Sequence, residues 1–361
     1  MKTLTFTVTN DLRTDQRMIR ICSTLAEAGY LVRLIGVQFN DSPAYEPRSF
    51  KQHRIKCFFR KGFAFYAEYN TKLFFYLLLK KTDLICAIDL DTIIPCFFIS
   101  VLKSISRVYD AHELFCEMKE VVTRPFIYRF WKTVEKIFVP KFQLGYTVSR
   151  PIAEIFKKEY GVDYGVIRNM PRKILFQPPK RESFLLYQGA VNEGRSFETL
   201  IPAMEFVDAQ LHIYGDGNYM DQVKSLIKKH RLGEKVLLKG KLSPEELRVV
   251  TASAKAGITL FENKGLSNYY SLANRFFDYI QGGTPQLCVD YPAYREINET
   301  FEIAVLIDDL SSANIARHLN NLLQNEVLYR RLQIQCTIAA LQLNWQKEEQ
   351  KLLDFYRQIL H

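Results

Sequence analysis

The chain has 361 residues, 48% hydrophobic and 24% charged, a profile that excludes a disordered chain and leaves room for about two domains with their own cores. Seven cysteines, odd in number and without any C-x-x-C pair, indicate neither a disulfide framework nor a zinc site and suit a reducing cytosol. The net charge of +10 sits at the front: residues 1–170 carry 26 Lys+Arg against 17 Asp+Glu, residues 171–361 carry 23 against 22. Such a field suits an anionic bilayer or a phosphate-bearing acceptor. Nucleic acid is not expected as a partner, because no basic helix or aromatic-basic repeat occurs.

The opening Thr3–Val8 reads as a buried strand without the apolar core or cleavage site of a signal peptide, so a cytoplasmic protein is expected. Further strands are predicted near 31–37, 54–58, 84–88, 106–110 and 144–148. Residues 60–81 place basic groups at both ends of an aromatic and leucine-rich run. Glu68, Asn70 and Lys72 interrupt that run, so it is a poor membrane span. It reads either as core or as an amphipathic helix lying on the cytoplasmic membrane surface. Thr92–Leu102 reads as a buried helix. Asn169–Ser183, with three prolines and four basic residues, is a plausible hinge. A second series of strands follows near 184–189, 211–215, 235–239, 256–260, 286–289 and 303–307. The alternation in both halves predicts α/β architecture with doubly wound parallel sheets. A helical tail from Asn344 carries an apolar stripe of Leu352, Leu353 and Tyr356 and is free to pack outside its own domain. The expected divisions are 1–170, 171–343 and 344–361.

Ligands of open α/β sheets sit at the carboxyl ends of strands. After the first strand, Asn10, Asp11, Asp15 and Arg17 could line a cleft, although Asp at a helix start is commonly a cap. The missing G-x-G-x-x-G argues against a nicotinamide or flavin enzyme. Asp89 and Asp91 follow the fourth strand, and Asp110, His112 and Glu113 follow the fifth. His112, a histidine at a strand end beside acidic neighbours, is a candidate to hydrogen-bond a sugar hydroxyl or a phosphate. Two carboxylates without a third clustered ligand are weak evidence for a metal, and none is expected. Tyr187–Ile201 gives a strand, a loop with glycine at 189, and a helix with Arg195 at its start, which suits phosphate. Gly215, Asp216 and Gly217 form a similar but weaker loop.

Asn268–Pro285, NYYSLANRFFDYIQGGTP, is predicted as a helix starting at Ser271. Ser271, Asn274, Arg275 and Asp278 then share a polar face, with Leu272, Phe276 and Ile280 opposite. Free amides and the helix dipole favour a diphosphate there, with Arg275 adding a charge-assisted contact. The competing reading is a capped surface helix with an Arg275–Asp278 pair. No G-x-S-x-G elbow, H-E-x-x-H or P-loop occurs.

In their order along the chain, NDLRTDQRMIRICSTLAEAGYLV, DLDTIIP, YDAHELFCE, TVSRPIAEIF, YQGAVNEGRSFETLI, YGDG, YYSLANRFFDYIQGGTP and NWQKEE resemble the GT-B glycosyltransferases, specifically retaining family 4. The resemblance implies two Rossmann-like domains facing across a cleft, acceptor bound in front and nucleotide-sugar donor in the rear, with the last helix crossing back to the front domain. It implies sugar transfer from a nucleotide-diphosphate donor with retained configuration, to a cell-surface glycan or lipid-linked precursor, without metal or other cofactor. On matching positions, Arg195 and Arg275 hold the diphosphate with the amides of Ser271, Leu272, Ala273 and Asn274. Gly189, Gly215 and Gly217 border the nucleotide, Asp278 stands for the ribose-binding glutamate, and His112 contacts the donor sugar. His112, Arg195 and Arg275 are thereby the catalytic candidates, while Asn10, Asp11, Arg17, Asp91 and Glu113 are cleft or acceptor candidates. The family's E-x7-E pair appears here as Tyr270 and Asp278, so the first carboxylate is missing. A subgroup with Tyr-Tyr-Ser-Leu-x-Asn-Arg is similar at this place. Two alternatives remain open: a nucleotide-sugar 2-epimerase on the same frame, and a degenerate transferase acting as a non-catalytic binding subunit.

Overall fold

Among the described residues, thirteen strands pair in parallel register throughout and form two separate sheets. The computed structural model describes residues 1–13, 15–42, 44, 46–174 and 179–360. Two compact units result: Met1–Asn169 together with Glu348–His361, and Met170–Lys347.

The first unit holds β1 (Thr3–Thr7), β2 (Leu31–Gln38), β3 (Lys51–Lys56), β4 (Leu84–Ile88), β5 (Ser106–Ala111), β6 (Leu144–Thr147) and β7 (Gly165–Val166), ordered β3-β2-β1-β4-β5-β6-β7. All five residues of β4, LICAI, are buried, as a parallel strand covered by helices on both faces requires. Asp15 caps the Gln16–Glu27 helix by accepting from the Met18 amide at 3.0 Å, so it serves the helix start. The Gly62–Leu79 helix packs one face into the core and leaves the other exposed. Phe65, Tyr69, Leu73 and Leu77 recur every four residues on the buried face, while Phe63, Phe75, Leu78 and Leu79 are exposed. Ile93–Lys103, expected to be a buried helix, likewise buries one face only and leaves Phe98, Val101 and Leu102 exposed. Among the described residues no helix is long and apolar enough to cross a membrane.

The second unit holds β8 (Phe184–Gln188), β9 (Gln210–Tyr214), β10 (Val236–Gly240), β11 (Ala256–Thr259), β12 (Gln286–Val289) and β13 (Ala304–Ile307), ordered β10-β9-β8-β11-β12-β13. Four residues of the expected hinge, 175–178, lie outside the described residues. Past them Arg181 fixes the chain to this unit: its guanidinium donates to the carbonyls of Ala254, Gly282 and Gly283 and to the Thr284 hydroxyl.

The last helix, Trp345–Leu360, begins in the second unit and ends in the first. Its first residue, Trp345, is fully buried and donates its amide to the Pro171 carbonyl at 2.9 Å. Farther on, Leu352 and Tyr356 are fully buried in the first unit. The Tyr356 ring lies 5.9 Å from that of Phe6 on β1, and its hydroxyl is 3.2 Å from that of Tyr146 on β6. Removing the ring leaves a cavity under the middle of the sheet. Tyr356→Ala is therefore expected to destabilise the first unit by roughly 3–5 kcal/mol, whereas exposed Phe75→Ala costs under about 0.5 kcal/mol. Denaturant unfolding of both variants checks this, and equal midpoints would contradict the packing role of the helix.

Candidate functional site

In the second sheet the strand order reverses between β8 and β11, the place where ligands of open α/β sheets bind at the strands' carboxyl ends. Glycine shapes the loops after β8 and β9. A Cβ on Gly215 would lie 1.8 Å from the Gly189 carbonyl oxygen, and one on Gly217 would lie 2.3 Å from that of Val191. Backbone therefore lies directly on backbone, joined by the Gly189 amide donating to Tyr214 O at 2.9 Å and the Val191 amide donating to Asp216 O at 3.1 Å. Gly189 itself has φ +116°, a region open to glycine. The Gly194 carbonyl accepts from the Glu262 amide at 3.0 Å and ties the loop to the segment after β11.

Two arginines converge on that segment. The Arg195 guanidinium stands 4.4 Å from the ring centroid of Phe261, and that of Arg275 stands 4.7 Å from the same ring and 4.4 Å from Tyr187. Arg275 is only 7% exposed. Its Nη1 donates to the Gln188 carbonyl at 3.1 Å, while Nε has no hydrogen-bond partner. Among the described residues Arg275 forms no ion pair, with Asp278 or any other carboxylate. The surface-helix alternative, which needed that pair, is excluded. Asp278 instead accepts from Gln188 Nε2 at 3.0 Å, and Gln188 Oε1 accepts from the Thr251 hydroxyl at 2.7 Å. Gln188 thus holds Arg275 through its carbonyl and Asp278 through its amide.

The expected helix start at Ser271 is corrected. A five-residue helix, Leu266–Tyr270, comes first, and Ser271 closes it, its hydroxyl donating to the Asn268 carbonyl at 2.8 Å. Ala273 is held extended, with its amide donating to the Tyr294 hydroxyl at 3.0 Å, and the next helix runs Asn274–Gln281. Ser271, Leu272 and Ala273 therefore form a break between helices, and Asp278 lies about one turn into the second. The N-cap Ala273 supplies no side-chain cap to the amides behind it. Tyr270, at the missing carboxylate's position, packs edge-on against Tyr269 with centroids 5.0 Å apart.

In the first unit the reversal falls between β1 and β4. His112 follows β5 between two carboxylates, its Nε2 3.2 Å from Asp110 and its Nδ1 3.5 Å from Asp89. Asp89 also accepts from the His112 amide at 2.8 Å and holds φ +51°, a costly conformation for a residue with a side chain. Arg17 does not line an open surface: it is buried, pairs bidentately with Asp110 at 2.7 and 3.3 Å, and donates to the Ile167 carbonyl at 2.8 Å. Asp91 is joined by the Thr9 hydroxyl at 2.5 Å. Asn10 accepts from the Leu12 amide and donates to Asp15, and Asp11 accepts from the Arg13 amide, so these two order the loop after β1. Glu113 is half-buried beside this group. Among the described residues no three His, Cys, Asp or Glu side chains form a metal-binding group.

Burial opposes charge on His112, but Asp110 and then Asp89 outweigh it and raise its pKa to about 9. Burial pushes Asp89 up to about 7 and Asp91 up to about 6. Asp110 is also penalised by burial, yet Arg17 and then His112 hold it below the usual value.

Sequence reasoning missed Tyr187, Gln188, Phe261 and Thr251. Tyr187 and Gln188 precede the glycine that drew attention, and Phe261 lies just past β11, so position at a strand's carboxyl end was the available signal.

Residues 172–336 match the family described as "Glycosyl transferases group 1". No curated protein sequence gives a match. Among solved structures, sucrose-phosphate synthase from Thermosynechococcus elongatus superposes with a TM-score of 0.82 at 15% identity, covering 99% of each chain. HepE of Anabaena, in complex with UDP and glucose, superposes with a TM-score of 0.74 at 12% identity over 99% of this chain and 100% of its own. WaaG, a glycosyltransferase involved in lipopolysaccharide biosynthesis, gives 0.75 at 15% over 97% and 98%. The fold is GT-B, and the match over residues 172–336 together with that fold supports a sugar transferase.

The unit 1 charges predict a pH dependence. Because the folded pKa of His112 lies above its ordinary 6.5, its stabilisation is complete below about 6.5 and is lost as pH rises through about 9. Asp89, raised from 3.8 to about 7, is deprotonated first in the unfolded chain, so it costs stability increasingly up to about pH 7. Both act in one direction. The unfolding temperature of the first unit should fall between pH 6.5 and 9.5, and His112→Gln should flatten the upper part of that fall. An unchanged slope in the variant would contradict the assignment.

Proposed function

We propose that the chain transfers a sugar from a nucleotide-diphosphate-sugar donor to a glycan or lipid-linked acceptor with retention of configuration, as a family 4-like enzyme. The observation that carries this reading is Arg275: a buried cation with no carboxylate partner, sharing the Phe261 ring with Arg195. A buried charge calls for a counter-charge, and a diphosphate supplies it. HepE, with the same fold, binds UDP.

In the proposed reaction the bond from the anomeric carbon to the diphosphate oxygen breaks, and its electron pair leaves with the nucleotide. Arg195 and Arg275 stabilise the charge growing on that leaving group electrostatically, a task that needs no metal in this scheme. The acceptor oxygen bonds to the anomeric carbon on the face the leaving group departs, and its proton passes to the departing phosphate. Asp278, oriented by Gln188, accepts from ribose hydroxyls, with the amides of Ser271 to Asn274 adding to the diphosphate contacts. Gly189, Gly215 and Gly217 admit the nucleotide to the backbone. His112 is assigned as an imidazolium donor to the donor sugar, with Asp91 and Glu113 as acceptor-side groups. Work in the cytoplasm, at the membrane's inner face, fits a lipid-linked acceptor.

The test is nucleotide release from a panel of nucleotide-sugars, with and without acceptors and in the presence of a chelator. Arg195→Ala and Arg275→Ala should each lower kcat by on the order of 10² or more, as loss of an oxyanion-type donor does. Arg275→Lys, which keeps the charge, controls for folding. Near-parental kcat in both alanine variants would remove the assignment. Consumption of donor alone with inversion at C2 would mean an epimerase, and binding without turnover a non-catalytic subunit.

A further inference from the structure

Three helices of the first unit, Gly62–Leu79, Ile93–Lys103 and Pro125–Phe138, pack side by side and present apolar groups outward. The Phe63 ring meets Phe130 at 6.1 Å, and Phe98 meets Phe138 at 6.2 Å, so the third helix touches both others. The Lys103 ammonium donates to the Lys80 carbonyl at 2.6 Å, which brings the ends of the first two helices together. This is one surface. Its outermost side chains are Phe126 (87% exposed), Leu79 (82%), Phe63 (75%) and Leu102 (63%). Side chains of that size are not left in water singly by chance when they share one continuous face. The stripe of the first helix between the extremes, Ala64, Ala67, Thr71, Phe75 and Leu78, is exposed and contains no charge.

Basic residues border this face. Lys61, Lys81, Arg124, Arg129, Lys136 and Lys141 are exposed at its edges and between its helices. The acidic residues of the same helices are already engaged. Glu135 is buried, 2.9 Å from Lys132, and Glu68 accepts from Lys72 and from the amides of Phe58 and Phe59. Six of the 26 basic residues of positions 1–170 therefore lie by the protruding aromatic groups.

We propose that this three-helix face docks on an anionic lipid bilayer, with Phe63, Leu79, Leu102 and Phe126 inserted at the headgroup level and the basic rim on acidic headgroups. The pattern is that of an interfacial surface, with apolar groups flanked by Lys and Arg and, among the described residues, no helix long and apolar enough to cross. A second copy of the chain is the poorer occupant, because self-association would set basic rim against basic rim. The inference does not depend on the transfer chemistry.

The experiment is co-sedimentation of the full chain with vesicles of phosphatidylcholine alone and of phosphatidylcholine with phosphatidylglycerol, at low and high salt. Binding is expected to the anionic vesicles at low salt and to fall as salt screens the rim. Phe63→Ser with Phe126→Ser, and separately Arg129→Glu with Lys136→Glu, should each weaken it about tenfold or more, with unfolding temperature unchanged since all four side chains are exposed. Parental chain left in the supernatant at low salt would overturn the proposal, as would variants that sediment like the parent. So would a lipid-free dimer that the Phe63/Phe126 variant abolishes.

Discussion

A buried guanidinium without a carboxylate is the constraint on which the second unit's site depends. Taking a cation out of water costs several kcal/mol even after relaxation. Arg275 recovers part of this from two aromatic faces, about 0.5–2 kcal/mol each, and from one hydrogen bond to the Gln188 carbonyl. Arg195 on the same ring adds like-charge repulsion. Phe261 stacks on both guanidinium groups, and Tyr187 on that of Arg275. Gly189 lies beside the Arg275 guanidinium, and the glycine-only contacts among the loops at 189, 215 and 217 leave bare backbone there.

The first unit handles charge in the opposite way. There Arg17, Asp110, His112 and Asp89 form a chain of alternating sign, and each member is held by the next. Arg17 is spent inside this chain, which makes it a positioning group for Asp110 and His112. The positive φ of Asp89 is maintained because its carboxylate accepts from the His112 amide while its own amide donates to the Asp110 carbonyl. His112 is thus oriented from two sides and keeps its proton at neutral pH.

Much of the fold was legible because parallel strands buried on both faces are continuous apolar runs, such as LICAI and FLLYQ, set between turn residues. The two-residue β7 was not legible, since Gly165–Val166 is too short to show any period. The boundary at Ser271 was misread because SLANRFF has helical spacing, while the break depends on Tyr294, remote in sequence, taking the Ala273 amide. Residues 60–81 could not be decided from periodicity, because an amphipathic helix with apolar groups on both faces shows little contrast between them. The loop glycines, Arg195 and His112 were visible as residue types at strand ends, and Arg275 as part of a helix's polar face. Gln188, Phe261 and Tyr187 were not, because their roles rest on contacts between strands distant in the chain.

The central proposal is that Arg275 and Arg195 hold a diphosphate. Calorimetric titration of the parental chain with nucleoside diphosphates and the matching monophosphates tests it most directly, since the two ligand sets differ in the group the arginines are assigned to hold. The account predicts that at least one diphosphate binds about tenfold or more tighter than its monophosphate, and that Arg275→Gln removes the difference. Equal affinities for the two, or a preference that survives Arg275→Gln, would contradict it.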